Sequence, residues 1–130
     1  MTVSAPSARE RGVQLLREGR FADSVDFLLQ AIADDPSDID THLCLGLAYA
    51  RLGEVEKAVD ILEQAAGAAP TSAKVHYNLG IAYNMAKKLN DAREEFLKAL
   101  GLDPGYAAAK SALDMLVGST GPAEDKPQTG

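Results

Sequence analysis

Apolar and small residues along the stretch HLCLGLAYARLG, from His42 to Gly53, fall at His42, Leu45, Gly46 and Tyr49. The spacing i, i+3, i+4, i+7 marks one face of a helix. Thirty-four residues later HYNLGIAYNMAK, from His76 to Lys87, repeats the pattern with His76, Leu79, Gly80 and Tyr83. The punctuation has the same period: Pro36, Pro70 and Pro104, Gly12, Gly46 and Gly80, and Ala31, Ala65 and Ala99 are each thirty-four apart. Three repeats follow, over 5–38, 39–72 and 73–106. Each predicts two helices in a hairpin. Its closing proline stops the second helix because proline lacks the amide that would continue the ladder.

Local signals set the helix ends. Ser7 followed by Glu10 forms a capping box and predicts a first helix starting near Ala8. Gly19 and Gly53 stand where a first helix gives way to its partner, while Lys87 holds that place in the third repeat. Glycine inside a helix costs about 1 kcal/mol relative to alanine. Its return at one phase therefore predicts close helix approach, with Ala58 and Ala65, or Ala92 and Ala99, as the small facing surfaces. A last helix over 106–117 carries the stripe Ala109, Leu113, Leu116 and Val117, with Lys110, Ser111 and Asp114 facing away. Gly118 is expected to end it, and 118–130 reads as a disordered tail too poor in apolar residues to fold. Residues 1–117 are thus expected to form one domain.

At this register the chain resembles the tetratricopeptide repeat family. The middle repeat carries Leu45, Gly46 and Tyr49 with Ala58, Leu62, Ala65 and Pro70, and the third Leu79, Gly80, Tyr83, Ala92, Phe96, Ala99 and Pro104. The first keeps Gly12, Leu15, Phe21, Leu28, Ala31 and Pro36, but has Arg11 where leucine is expected and Ser24 where alanine is. The resemblance implies an all-α fold: a right-handed superhelical α-solenoid of three helix-turn-helix repeats with a solvating C-terminal helix. Its first helices would line a concave groove, where members of the family bind extended peptides or partner helices.

Composition removes several function classes. Thirteen Lys and Arg against nineteen Asp and Glu give a net charge of −6, without the basic face that nucleic acid demands. Cys44, the single cysteine, cannot form an internal disulfide. No apolar run has signal-peptide or membrane-spanning length, so a cytoplasmic protein without membrane insertion is expected. HExxH, GxSxG and P-loop motifs are absent. His42 and His76 share one phase and read as buried packing residues. Cys44 lies two positions from His42 on another side of the helix, which disfavours a nucleophile pair. No catalytic residue, cofactor site or metal site is expected, and the chain reads as no enzyme.

The opposite face of the first helices is more informative. Pointing away from Leu45, Gly46 and Tyr49 are Asp40, Cys44, Leu47 and Arg51, matched by Pro6, Glu10, Val13 and Arg17, and by Lys74, Asn78, Ile81 and Met85. An isolated amphipathic helix would be polar here. Instead Val13, Leu47 and Ile81 share one phase, with Leu43 and Tyr77 beside them. The strip either packs between neighbouring first helices or floors a groove that Arg9, Arg17, Arg51 and Lys74 rim, suited to an apolar helical face flanked by acidic residues.

Members of the family that hold chaperone C-termini place lysine, asparagine and arginine donors at set phases. This chain has Arg9, Val13, Cys44, Lys74 and Asn78 there, so only Lys74 matches and Arg9 preserves charge. A chaperone-tail receptor is disfavoured. The expected function is a non-enzymatic protein–protein interaction module, an adaptor or cochaperone, that binds a partner peptide or helix. The alternative is a self-associating scaffold, a homo-oligomer built through the groove or the first repeat.

Overall fold

Helix ends and second-helix starts recur on the thirty-four-residue period, whereas the capping box at Ser7 starts the first helix of its repeat three residues later than the other two first helices start in theirs. The computed structural model describes residues 4–125, with side chains through Leu116. First helices are α1 (Ala8–Arg17), α3 (Ile39–Arg51) and α5 (Ala73–Met85), their partners α2 (Phe21–Asp34), α4 (Val55–Ala68) and α6 (Leu89–Leu102), and α7 (Ala107–Asp125) follows. No strand occurs among the described residues.

Each first helix is opened by a side chain. Ser7 and Glu10 form both bonds of the capping box, at 3.0 Å and 2.8 Å. The Asp38 carboxylate accepts from the Thr41 amide and the Ser72 hydroxyl from the Val75 amide, each at 3.3 Å. These oxygens satisfy amides that a helix start would otherwise leave unbonded. Each hairpin then turns through a left-handed residue, Gly19 (φ 78°), Gly53 (φ 77°) or Lys87 (φ 66°). The amide of the next residue, Arg20, Glu54 or Lys88, reaches back to Leu15, Tyr49 or Tyr83 at 2.9 Å. That bond and its companion, from the left-handed residue's own amide to the carbonyl three residues back at 3.0 Å, close the helix end as a Schellman motif.

Lys87 is the one side-chain-bearing residue described at positive φ, a conformation that crowds its Cβ. Lys87→Gly is therefore expected to stabilise the fold by about 1 kcal/mol. Thermal unfolding reads this as a Tm higher by a few degrees; an unchanged or lower Tm would show that no strain resides in this turn.

By packing, the chain divides into two compact units at the Pro70–Thr71 boundary. In the first, α1 packs on α2, α2 on α3 and α3 on α4, burying Leu15, Leu28, Leu45, Ala58, Val59, Leu62 and Ala65. In the second, α5 packs on α6 and α6 on α7 around Ala92, Phe96 and Leu116.

The recurrent glycines do mark close helix approach, but the facing residues correct the expectation. A Cβ on Gly12 would stand 2.7 Å from Leu28, one on Gly46 2.9 Å from Leu62, and one on Gly80 2.6 Å from Phe96. Each glycine thus opens a hole for one large side chain, which buries more apolar area than two small surfaces in contact. The alanines at 31, 58, 65, 92 and 99 are themselves buried. Ser24 fits the alanine position because its buried hydroxyl donates to the Phe21 carbonyl at 2.8 Å.

The end of the last helix also differs from expectation. α7 runs past Gly118 to Asp125. A helical glycine costs about 1 kcal/mol and does not by itself stop the ladder. Ala109 and Leu116 are buried and Leu113 half-buried, whereas the Val117 side chain and residues 126–130 lie outside what is described.

Candidate interaction surface

The surface predicted from the strip is built separately on each unit. In the first, Leu47 lies mid-way along α3 with 46% of its surface exposed, the most open of the strip's three apolar residues. Leu43 and Cys44, one turn earlier, are half-buried, as is Val13 on α1. Arg17 and Arg51 are exposed in the last turns of α1 and α3, where cations complement the negative helix end. The Arg51 guanidinium stands 5.7 Å from the Phe21 ring centroid, within cation–π range.

Arg9 departs from its expected place on the rim. Its Nε donates to the Asp38 carboxylate at 2.8 Å, tying α1 to the start of α3. Burial works to raise the Asp38 pKa, but the Thr41 hydrogen bonds and the Arg9 charge outweigh it, so the carboxyl lies below its ordinary 3.8. A depressed folded-state value means that Asp38 stabilises fully above the unfolded pKa and ceases to as pH falls through the folded one. Asp38→Ala should cost about 1 kcal/mol near neutral pH. Urea unfolding should show that gap closing as pH falls below the ordinary carboxyl value and through the lowered folded-state one; a gap independent of pH would contradict the charged cap.

In the second unit two predicted floor residues are half-buried. Ile81 and Tyr77 pack half-buried against the cluster of Ala92, Phe96 and Leu116. The Tyr77 ring lies 6.0 Å from Phe96 and 5.2 Å from Tyr106. α7 packs on α6, and its Leu116 belongs to the cluster on which both residues rest. Burial pushes the Tyr106 phenol up, with the neighbouring Tyr77 adding to it. Asn78 donates its amide to the Lys74 carbonyl at 2.8 Å, Lys74 is exposed, and Met85 is 41% exposed.

Both histidines lie on the buried side as expected, but their partners were not foreseen. His42 Nδ1 meets the Asp38 carbonyl at 2.9 Å. His76 Nδ1 meets Glu95 Oε1 at 2.7 Å, both groups being more than nine-tenths buried, and Lys98 reaches the other Glu95 oxygen at 3.0 Å. The hydrogen bond and charge of Glu95 raise the Lys98 pKa. The signal lay in the period: Glu95 stands one repeat after Ile61, so a carboxylate occupies a core phase. Among the described residues no group of three His, Cys, Asp or Glu could hold a metal ion, and no helix is long and apolar enough to cross a membrane.

A tetratricopeptide repeat family model matches residues 43–107, and a second, described as a TPR repeat, matches 12–53. The chain belongs to the tetratricopeptide repeat family. Its fold is shared with solved structures, tetratricopeptide domains among them. The second TPR domain of human RPAP3, solved with the HSP70 peptide SGPTIEEVD, is 25% identical with a TM-score of 0.80, over 85% of this chain and 92% of that one. MamA is 25% identical with a TM-score of 0.78, over 97% and 70%. PcrH, solved with the chaperone-binding region of PopD, is 17% identical with a TM-score of 0.78, over 88% and 91%. These likenesses make the chain an α-solenoid of three tetratricopeptide repeats and a final helix. No curated protein matches it.

Proposed function

We propose that this tetratricopeptide protein is a non-enzymatic interaction module, an adaptor or cochaperone, whose first-helix face takes a peptide or helix of a partner protein. The observation that carries the reading is Leu47: a leucine nearly half exposed in the middle of α3, where the opposite face already supplies the core. Leu43 extends the apolar patch, and Arg17 and Arg51 flank it. A partner with apolar anchors at helical spacing and acids beside them matches this surface in shape and charge. RPAP3 and PcrH were solved with peptide segments bound, which supports peptide capture as the kind of function. Chaperone C-termini are a poor fit: Val13 and Cys44 offer no strong side-chain donor, Asn78 is engaged with Lys74, and Arg9 with Asp38.

Self-association is the second reading, and the first repeat supplies its observation. Phe27 is 39% exposed under the Arg11 guanidinium at 5.9 Å, whereas one repeat later Ile61 and Leu45 hold those phases and are buried. That face of α1 and α2 is an uncovered version of a surface that is covered elsewhere in the chain.

Leu47→Glu tests the groove. The variant should keep the wild-type circular dichroism and lose at least tenfold in affinity for any partner that the wild type retains from native cell extract, since it buries a charge in an apolar contact. Unchanged retention of the same partner would remove the groove assignment.

A further inference from the structure

A second surface of the first unit, away from the strip around Leu47, has the makings of a docking site. Between α2 and α4 lies a cleft of about 300 Å³. Its apolar lining comes from Leu29, Leu45, Tyr49 and Ile61. Leu45 and Ile61 are buried, while Leu29 is 46% exposed. An exposed leucine beside a preformed apolar cleft leaves area that an incoming side chain would remove from water.

Charge says what kind of side chains surround that anchor. α2 carries Asp23, Asp26 and Asp34 and no Lys or Arg, and α4 carries Glu56, Asp60 and Glu63 against Lys57 alone. The Lys57 ammonium is already held by Glu54 at 2.8 Å and stands 5.8 Å from the Tyr49 ring centroid. Asp26 and Asp60 stand one repeat apart at the same helical phase, both exposed, and Asp60 lines the cleft itself, together with Gln64 and the Lys57 that Glu54 neutralises. Among the described residues neither forms an ion pair. An acidic face alone would serve solubility; one that borders an apolar cleft with an exposed leucine also sets the sign of a ligand. Leucine at 29 is not required by the repeat, since Glu63 holds the same phase in the middle one.

We infer that the α2–α4 cleft docks a basic amphipathic helix of a partner protein, with one large apolar side chain in the cleft and lysines or arginines opposite Asp26 and Asp60. The site is distinct from the first-helix face and would let one small adaptor hold two partners of opposite charge.

The probe is a fluorescently labelled synthetic helix of leucine and lysine, amphipathic at helical spacing, titrated with the full chain and read by anisotropy. Leu29→Ser should weaken binding about tenfold by removing the apolar contact, and Asp60→Asn about threefold. Raising salt from about 0.1 M to 1 M, which shortens the screening length from roughly 10 Å to 3 Å, should weaken the wild type further. Leu47→Glu should bind the probe as the wild type does, which separates this site from the groove. Circular dichroism confirms that each variant is folded; Leu29 is exposed and its loss leaves the core intact. The inference is overturned if the wild type does not bind the probe, if Leu29→Ser binds it undiminished, or if only Leu47→Glu weakens it.

Discussion

Phe96→Ala should destabilise the protein by about 3–5 kcal/mol, enough to remove a large part of the stability of a small domain. Phe96 is 1% exposed, fills the hole opposite Gly80, and holds Tyr77, Ile81 and Leu116 around it. The stronger form of this prediction is a change of sign. In the wild-type background Gly80→Ala places a methyl 2.6 Å from the Phe96 ring, an overlap that a ring cannot relieve by bending. Overpacking of this kind costs about 1–3 kcal/mol, more than the helix propensity that alanine restores. In the Phe96→Ala background the clash is gone, and Gly80→Ala should instead stabilise by up to about 1 kcal/mol. Urea unfolding of the four proteins measures the cycle. Equal effects of Gly80→Ala in both backgrounds would show that the glycine does not exist to admit the ring.

The second large effect concerns Glu95. Glu95→Ala should cost about 3 kcal/mol, because it withdraws the 2.7 Å partner of His76 and the 3.0 Å partner of Lys98 and leaves a void in the buried layer. Glu95→Ile should cost less than about 1 kcal/mol. That change copies the middle repeat, where Ile61 is buried and His42 bonds to the Asp38 carbonyl four residues back. The equivalent carbonyl for His76 is that of Ser72, whose own acceptance from the His76 amide at 3.2 Å places it close by. Chemical denaturation of both variants settles the comparison, and equal losses would mean that the ion pair, not the filled volume, carries the stability.

The repeat and its punctuation were legible because they are local. A capping box, a left-handed turn and a helix-stopping proline act within a few residues, so their spacing alone located six helices and the start of a seventh. What escaped were facts of packing between helices. The partners of Gly12, Gly46 and Gly80 lie sixteen residues away and are large, whereas periodicity pointed to the small residues at neighbouring phases. Glu95 meets His76 across nineteen residues, at a position that the period assigns to the core.

The interaction strip divided for the same reason. Leu47 and Ile81 are identical in phase, yet Ile81 rests against a cluster that includes Leu116 of α7, and Leu47 keeps nearly half its surface open. A pattern that is uniform along the chain cannot say which copy has a neighbour. The continuation of α7 past Gly118 was hidden differently: glycine permits a helix end without requiring one.

Light scattering across a concentration series, on the wild type and on Leu47→Glu with circular dichroism alongside, decides whether the exposed face of α3 is free in solution. A folded monomer at every concentration is expected for both proteins, with the exposed face of α3 left free for a different partner. A wild-type oligomer that Leu47→Glu dissolves would contradict it and make that face the surface on which the protein assembles with itself.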